Sequence, residues 1–257
     1  MAHPDWGKWN KAENIEYKAL KDRGTFKWVP IDKVPLGKKI IKCKWVYKRK
    51  PDRYKARLVA KGFMQSPFDY GETYAPVCKL TTLRSMIAVA AERDYMLRQV
   101  DIGNAFVEAL LPPGEEVYMD SIPGYERPGY VLKLVRSLYG LKSSPKHWAD
   151  LLSKTLLEAG YTQSDYDPCL YFYKCAKTGK EVCIACYVDD LLATGDQGFI
   201  DDFVRFLESK FTVRDLGEAK VFLGMEIERN RKNRTIKISQ QTYIENIMEK
   251  FGLLIRC

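Results

Sequence analysis

The sequence predicts an α+β fold organised on an antiparallel sheet, and three observations carry that expectation. Alternating, strand-like runs at Cys169 to Cys175, Val182 to Tyr187 and Leu191 to Thr194 are separated by short connections, which join antiparallel neighbours. The stretches Thr81 to Arg93 and Phe199 to Lys210 place apolar residues at helical spacing and so each offer one side to a core. Asp189 and Asp190 stand side by side between apolar runs, where a buried sheet would otherwise take more Val and Leu.

Taken in order, Asp5 to Asp22 reads as a helix carrying Trp6, Trp9, Ile15 and Leu20 and ending near Gly24. Strand-like pieces follow at Phe26 to Val29, Ile40 to Lys48 and Tyr54 to Lys61, with a turn through Pro35-Leu36-Gly37. Lys55 and Arg57 alternate with Ala56 and Leu58, which puts both cations on one strand face. Thr81 to Arg93 reads as a core helix with a Thr cap. An apolar run ends at Asp101, and the small residues Gly103 and Ala105 after it would allow a ligand close to the backbone. Leu110 to Pro128, rich in Pro and Gly, reads as a loop, and Tyr130 to Leu134 as a strand. A helix opens at Pro145 and closes at Gly160, burying Trp148, Leu151, Leu152 and Leu156, with His147 on its solvent side. Val221 to Ile227 and Thr235 to Ser239 are strand-like, and Gln241 to Phe251 is helical.

The chemistry concentrates on carboxylates. Successive side chains of a strand face opposite ways, so Asp189 and Asp190 can share a site only at a hairpin tip. A strand-end Asp101 meeting them across neighbouring strands could hold two divalent cations roughly 3.5 to 4 Å apart, as in-line nucleotidyl transfer requires. An Asp-Asp dipeptide by itself is more often only a solvated turn; the second carboxylate, Asp101, tells against that here.

These residues carry a family resemblance. Tyr187-Val188-Asp189-Asp190 resembles the signature of reverse transcriptases, and Gln99-Val100-Asp101 with Ala105-Phe106 resembles their first catalytic motif. The segments Cys43-Lys44-Trp45-Val46-Tyr47-Lys48, Arg53 to Gly62, Tyr74-Ala75-Pro76-Val77, Ser137-Leu138-Tyr139-Gly140-Leu141-Lys142 with Pro145, and Phe222-Leu223-Gly224-Met225-Glu226 are similar to the polymerase of copia-type LTR retrotransposons, in that family's order. The resemblance covers nearly the whole chain. It implies a reverse-transcriptase palm and fingers with an antiparallel palm sheet and a truncated thumb: 1–95 mainly fingers, 96–228 mainly palm with a fingers insertion, and 229–257 the primer-grip edge and start of the thumb. The implied activity is RNA-dependent DNA synthesis with Mg²⁺, or Mn²⁺ in its place, on an RNA template, a DNA primer and a deoxynucleoside triphosphate (dNTP).

The resemblance makes Asp101, Asp189 and Asp190 catalytic, with the backbone carbonyl of Ile102 completing the metal ligands. It assigns the nucleotide to Lys55, Arg57, Phe106, Tyr139, Gly140 and Lys142, Phe106 being the gate against a ribose 2′-hydroxyl, and the primer grip to Phe222, Leu223, Gly224 and Met225. The chain departs from the family pattern in a short tip, Lys48 to Arg53, and in Val107-Glu108-Ala109-Leu110-Leu111 after Phe106. These departures suit a second expectation, a catalytically inactive fragment of an element that binds RNA or RNA–DNA hybrid. Thumb and RNase H portions of a parent polyprotein would be the missing partners.

Composition bounds the alternatives. The 257 residues, 46% hydrophobic, suffice for a sizeable core. Lys8 to Lys61 holds 18 Lys and Arg against 5 Asp and Glu, an excess of +13, so with a net charge of +9 the remainder sums to −4. A basic segment beside an acidic remainder suits nucleic-acid backbone or nucleotide phosphates. Seven Cys without a regular framework indicate a reducing compartment, and Cys183 and Cys186 face opposite sides of a strand despite their C-x-x-C spacing. With only His3 and His147, a Ser-His-Asp triad has little to draw on. No apolar run approaches the roughly 20 residues of a membrane span, so the expectation is of no transmembrane segment and no signal peptide. The expectation is a cytoplasmic protein, by resemblance inside a virus-like particle.

Overall fold

A computed structural model describes residues 4–253; His3 lies outside them. In chain order the elements are α1 (Trp6–Asp22), β1 (Phe26–Pro30), β2 (Ile40–Ile41), β3 (Cys43–Arg49), β4 (Tyr54–Ala60), α2 (Leu80–Glu92), β5 (Met96–Ile102) and α3 (Ala105–Glu108). They continue with β6 (Tyr118–Met119), β7 (Tyr130–Leu134), α4 (Ser144–Glu158), β8 (Thr162–Gln163), β9 (Leu170–Lys174), β10 (Glu181–Tyr187) and β11 (Asp190–Gly195). The last are α5 (Gln197–Glu208), β12 (Val213–Glu218), β13 (Val221–Phe222), β14 (Met225–Asn230), β15 (Thr235–Ser239) and α6 (Gln241–Lys250). The fold is α+β, as expected. It divides into two compact units, residues 1–75 with 104–152, and residues 76–103 with 153–257.

The first unit holds a sheet of order β1-β7-β6-β2 and the β3–β4 ribbon. Its core gathers Leu20 of α1, Ile41, Leu58 and Ala60, and Met119, Leu132, Leu134, Leu138 and Leu141. Because Ala56, Leu58 and Ala60 face that core, the alternate residues Lys55, Arg57 and Val59 take the other face of β4. The short tip of the ribbon is closed by Lys50 N–H donating to the Arg53 carbonyl at 2.8 Å.

The second unit is built on an all-antiparallel sheet of order β12-β5-β11-β10-β9-β8. Helix α5 buries Ile200, Phe203, Val204 and Leu207, with Phe199 and Phe206 only half-buried, and α2 buries Leu83, Met86, Ile87 and Ala90. The expected Thr cap of α2 is not made. Its N-cap is Lys79, whose backbone N–H donates instead to the buried Asp167 carboxylate at 2.9 Å, a partner far away in sequence; Thr82 Oγ1 donates to the same oxygen at 2.6 Å. At the other end of α2, Arg229 of β14 donates to the Ala90 carbonyl at 3.3 Å and to Asp94 at 2.7 Å, which fastens the sheet β13-β14-β15 to that helix end.

The structure departs from the expected elements in three places. Tyr118–Met119 forms the short strand β6 within the stretch Leu110 to Pro128 read as a loop, because it pairs with β2 and β7. Val221 to Ile227 is not one strand but a hairpin, because Leu223 and Gly224 both take positive φ (49° and 77°) while Phe222 pairs with Met225. That is the two-residue turn whose twist matches paired strands. Strand β12, absent from the sequence reading, pairs with β5 through a bulge at Asp215/Gly217. Among the described residues no helix is long and apolar enough to cross a membrane.

Candidate active site

In the second unit β10 and β11 form a hairpin in which Tyr187 pairs with Asp190, leaving Val188-Asp189 as a two-residue turn. Val188 holds φ at +58°, a region that costs a β-branched residue about 1–3 kcal/mol. The turn is pinned to β5, because Ile102 N–H donates to the Asp189 carbonyl at 2.8 Å. Asp189 therefore sits at a hairpin tip.

Register decides the rest. Asp190 lies directly opposite Asp101, and Asp101 directly opposite Arg214. Opposed residues of antiparallel strands project to the same face, so Arg214, Asp101, Asp190 and Tyr187 form one row across four strands. Burial pushes the Asp190 carboxyl above its ordinary range; the charges of Asp189 and then Asp101 push the same way, against a hydrogen bond with Gln99. Arg214 supplies counter-charge to Asp101, with Nη2 2.8 Å from Oδ2. The contact is off hydrogen-bond geometry, so Asp101 Oδ2, sealed from solvent, has no directed donor.

A crowded set of hard carboxylate oxygens, one of them an orphaned acceptor, has the chemistry a hard divalent cation takes. Among the described residues no three His, Cys, Asp or Glu side chains stand as a ready-made ligand set. Gly103 serves the chain rather than an open approach: its N–H donates to the Thr212 carbonyl at 2.8 Å, and a Cβ there would meet that oxygen at 3.3 Å. Ala105 is likewise buried.

In the first unit, most of the residues assigned to the nucleotide come together. The Arg57 guanidinium lies 4.8 Å from the centre of the Tyr139 ring, and Phe106 meets that ring edge-on at 4.8 Å. Arg57 Nε is a buried donor without a hydrogen-bond partner. Ala60 N–H donates to the Tyr139 carbonyl at 2.8 Å, joining β4 to the Leu138–Lys142 segment. Gly140, with φ +91°, lets its backbone press against Ala60 and Gly62. Lys142 Nζ donates to Tyr70 Oη at 2.9 Å.

Glu16 of α1 was missed: burial raises its carboxyl, while the Leu58 backbone and then Lys55, Arg57 and Arg23 pull it down. The primer-grip tetrad splits, with Phe222 and Met225 buried as anchors and Leu223-Gly224 at the turn tip. His147 is not on a solvent side: its side chain is 11% exposed and its Nε2 lies 2.9 Å from Glu115 Oε2. Glu115 gave no signal in the sequence, since it becomes meaningful only through pairing with distant residues.

The second unit thus sets a strand-end carboxylate against a hairpin-tip pair on an antiparallel sheet. The chain belongs to the reverse transcriptase (RNA-dependent DNA polymerase) family, whose model matches residues 25–256. It is 38% identical, over 98% of its length, to the retrovirus-related Pol polyprotein from transposon TNT 1-94 of Nicotiana tabacum, and 36% identical over 96% to that from transposon RE1 of Arabidopsis thaliana. These relatives bear out the copia-type resemblance, and the chain spans 19% and 17% of their respective lengths. Its fold is similar to that of the foamy viral protease-reverse transcriptase solved in complex with double-stranded DNA, with a TM-score of 0.50 at 13% identity, covering 93% of this chain and 37% of that one.

Proposed function

We propose that this chain is an RNA-directed DNA polymerase domain of a copia-type transposon polyprotein, adding a dNTP to a primer on an RNA template. The primer 3′-hydroxyl oxygen attacks the α-phosphorus, the bond to the bridging oxygen breaks, and pyrophosphate leaves with that electron pair. The observation that carries the reading is the row Arg214-Asp101-Asp190 beside the Asp189 turn, where strand register gathers carboxylates that a sheet would otherwise exclude. Asp101, Asp189 and Asp190, with the Ile102 carbonyl, would hold Mg²⁺ or Mn²⁺. Such an ion, when bound, supplies a lowered pKa for the attacking hydroxyl and counter-charge for the phosphoryl oxygens. Asp101 would exchange its Arg214 contact for this role. Arg57, with its unpaired donor, and Lys55 and Lys142 would bind the triphosphate; Tyr139 and Phe106 would flank base and sugar. Leu223-Gly224 would approach the primer terminus, where a turn tip without a bulky second side chain permits contact.

Extension of a DNA primer on an RNA template tests the reading. Incorporation by the chain, abolished in Asp189→Asn with hybrid binding retained, is the expected result. The short β3–β4 tip supports the second reading, a non-copying binder of RNA or RNA–DNA hybrid. Equal background from both proteins, with the hybrid still bound, would select it.

A further inference from the structure

A buried polar relay in the first unit takes no part in the chemistry above. Ser137 Oγ lies 2.7 Å from His147 Nδ1, His147 Nε2 lies 2.9 Å from Glu115 Oε2, and Ser143 Oγ donates to Glu115 Oε1 at 2.5 Å. Ser137 and Ser143 are fully buried, and the Glu115 side chain is 5% exposed. Buried polar groups are costly unless each finds a partner, and these four satisfy one another. The proton order follows from the donors available. A carboxylate only accepts, so Nε2 carries hydrogen; in the neutral imidazole Nδ1 then accepts from the Ser137 hydroxyl.

The constellation has the composition of a hydrolytic triad, but a nucleophile must reach a substrate. Glu115 and His147 border a cleft of about 540 Å³ whose lining does not include the sealed Ser137 oxygen. What the relay does instead is geometric. Ser137 and Ser143 are the two ends of the segment that carries Tyr139, Gly140 and Lys142, and one His–Glu pair holds both ends. Between them the segment is tied at Tyr139 to β4 and at Lys142 N–H to Gln65 Oε1, 3.0 Å away.

We infer that His147 and Glu115 are positioning residues for nucleotide binding, acting through Ser137 and Ser143 to fix the presentation of Tyr139 and Lys142. The inference rests on the polymerase reading and names a determinant of dNTP affinity within it. Glu115→Gln discriminates a positioning role from simple packing. Its carbonyl still accepts from Ser143, and its amide donates to His147 Nε2, which moves the imidazole proton to Nδ1; all three links are kept, the two through His147 with reversed polarity.

The test measures dNTP KM and kcat in primer extension by the full chain, together with binding of a fluorescent dNTP to the primer–template complex. Glu115→Ala and His147→Ala should raise KM and weaken nucleotide binding about tenfold, with kcat and primer–template affinity within about threefold of the parent. Glu115→Gln should return KM to within about twofold. Ser143→Ala, which removes a single link, is the milder variant should either alanine variant not fold, and should raise KM about threefold. Parental KM in the variants, or equal losses in Glu115→Gln and Glu115→Ala, overturns the inference while leaving the polymerase reading intact. A parent chain that neither extends primer nor binds nucleotide overturns both.

Discussion

Replacing Gly140 by alanine tests how the nucleotide segment is built. The added Cβ would fall deep inside van der Waals contact with the Ala60 carbonyl and 2.7 Å from Val59 Cγ1, at a backbone φ of +91°. The left-handed conformation costs an L-residue about 1 kcal/mol relative to Gly, and forcing atoms into a filled space about 1–3 kcal/mol more. The backbone oxygen cannot rotate away as a flexible side chain would, so relief requires the segment to retreat from β4. That retreat breaks the 2.8 Å bond from Ala60 N–H to the Tyr139 carbonyl and moves the ring on which Arg57 rests. The expected loss is about 2–4 kcal/mol in urea unfolding, with dNTP KM raised at least tenfold. Gly114→Ala is the matched control, since it also has positive φ but nothing within 4 Å of its Cβ. Equal destabilisation by the two substitutions, or a Gly140→Ala protein within about 0.5 kcal/mol of the parent, would refute the packing argument.

Other predictions follow from the second unit. Asp167→Ala strips acceptors from the Lys79, Thr82 and Cys169 donors and should cost about 2–4 kcal/mol by chemical denaturation. Burial pushes the Asp167 carboxyl up, but the Thr82 hydroxyl, the Lys79 and Cys169 N–H groups and Cys78 outweigh it and leave the group below its ordinary range. Its stabilisation is therefore complete above the unfolded value near pH 4 and disappears as pH falls through the lower folded value; Asp167→Asn should flatten that acid limb in a pH series of melting temperatures. Val188→Gly trades about 1–3 kcal/mol of strain for about 0.5–1 kcal/mol of chain entropy. It should leave the protein at least as stable, and a loss above about 1 kcal/mol would show that the Val side chain, not the turn, dominates. Arg229→Ala uncaps the C-terminal end of α2 and should speed amide exchange in Thr235–Ser239 and the last turn of α2, while leaving β10 and β11 protected.

Much of the scaffold was legible because its signals are local. Apolar spacing marked α1, α2, α4 and α5, and alternation marked β9, β10 and β11, since the side chains that pack each element lie on that element. The chemistry at Asp101 and Asp189 was legible because carboxylates between apolar runs contradict the surrounding pattern. Strand β12 was hidden: its bulge and Gly217 interrupt the alternation that would have announced it. His147 was misread because a helix wheel knows only its own helix, and the partners Glu115 and Ser137 come from two separate connections.

The amino-acid order by itself determined which residue types the chain offers and the family to which it belongs. Only the folded arrangement decided their neighbours: Asp190 opposite Asp101, Arg214 opposite Asp101 on its other side, Asp167 at the foot of α2, and a His–Glu pair closing the Ser137–Ser143 segment. The physical reason is range. Propensity and periodicity act over a few residues, whereas strand register and the desolvation of charge are settled when segments scores of residues apart meet and exclude water.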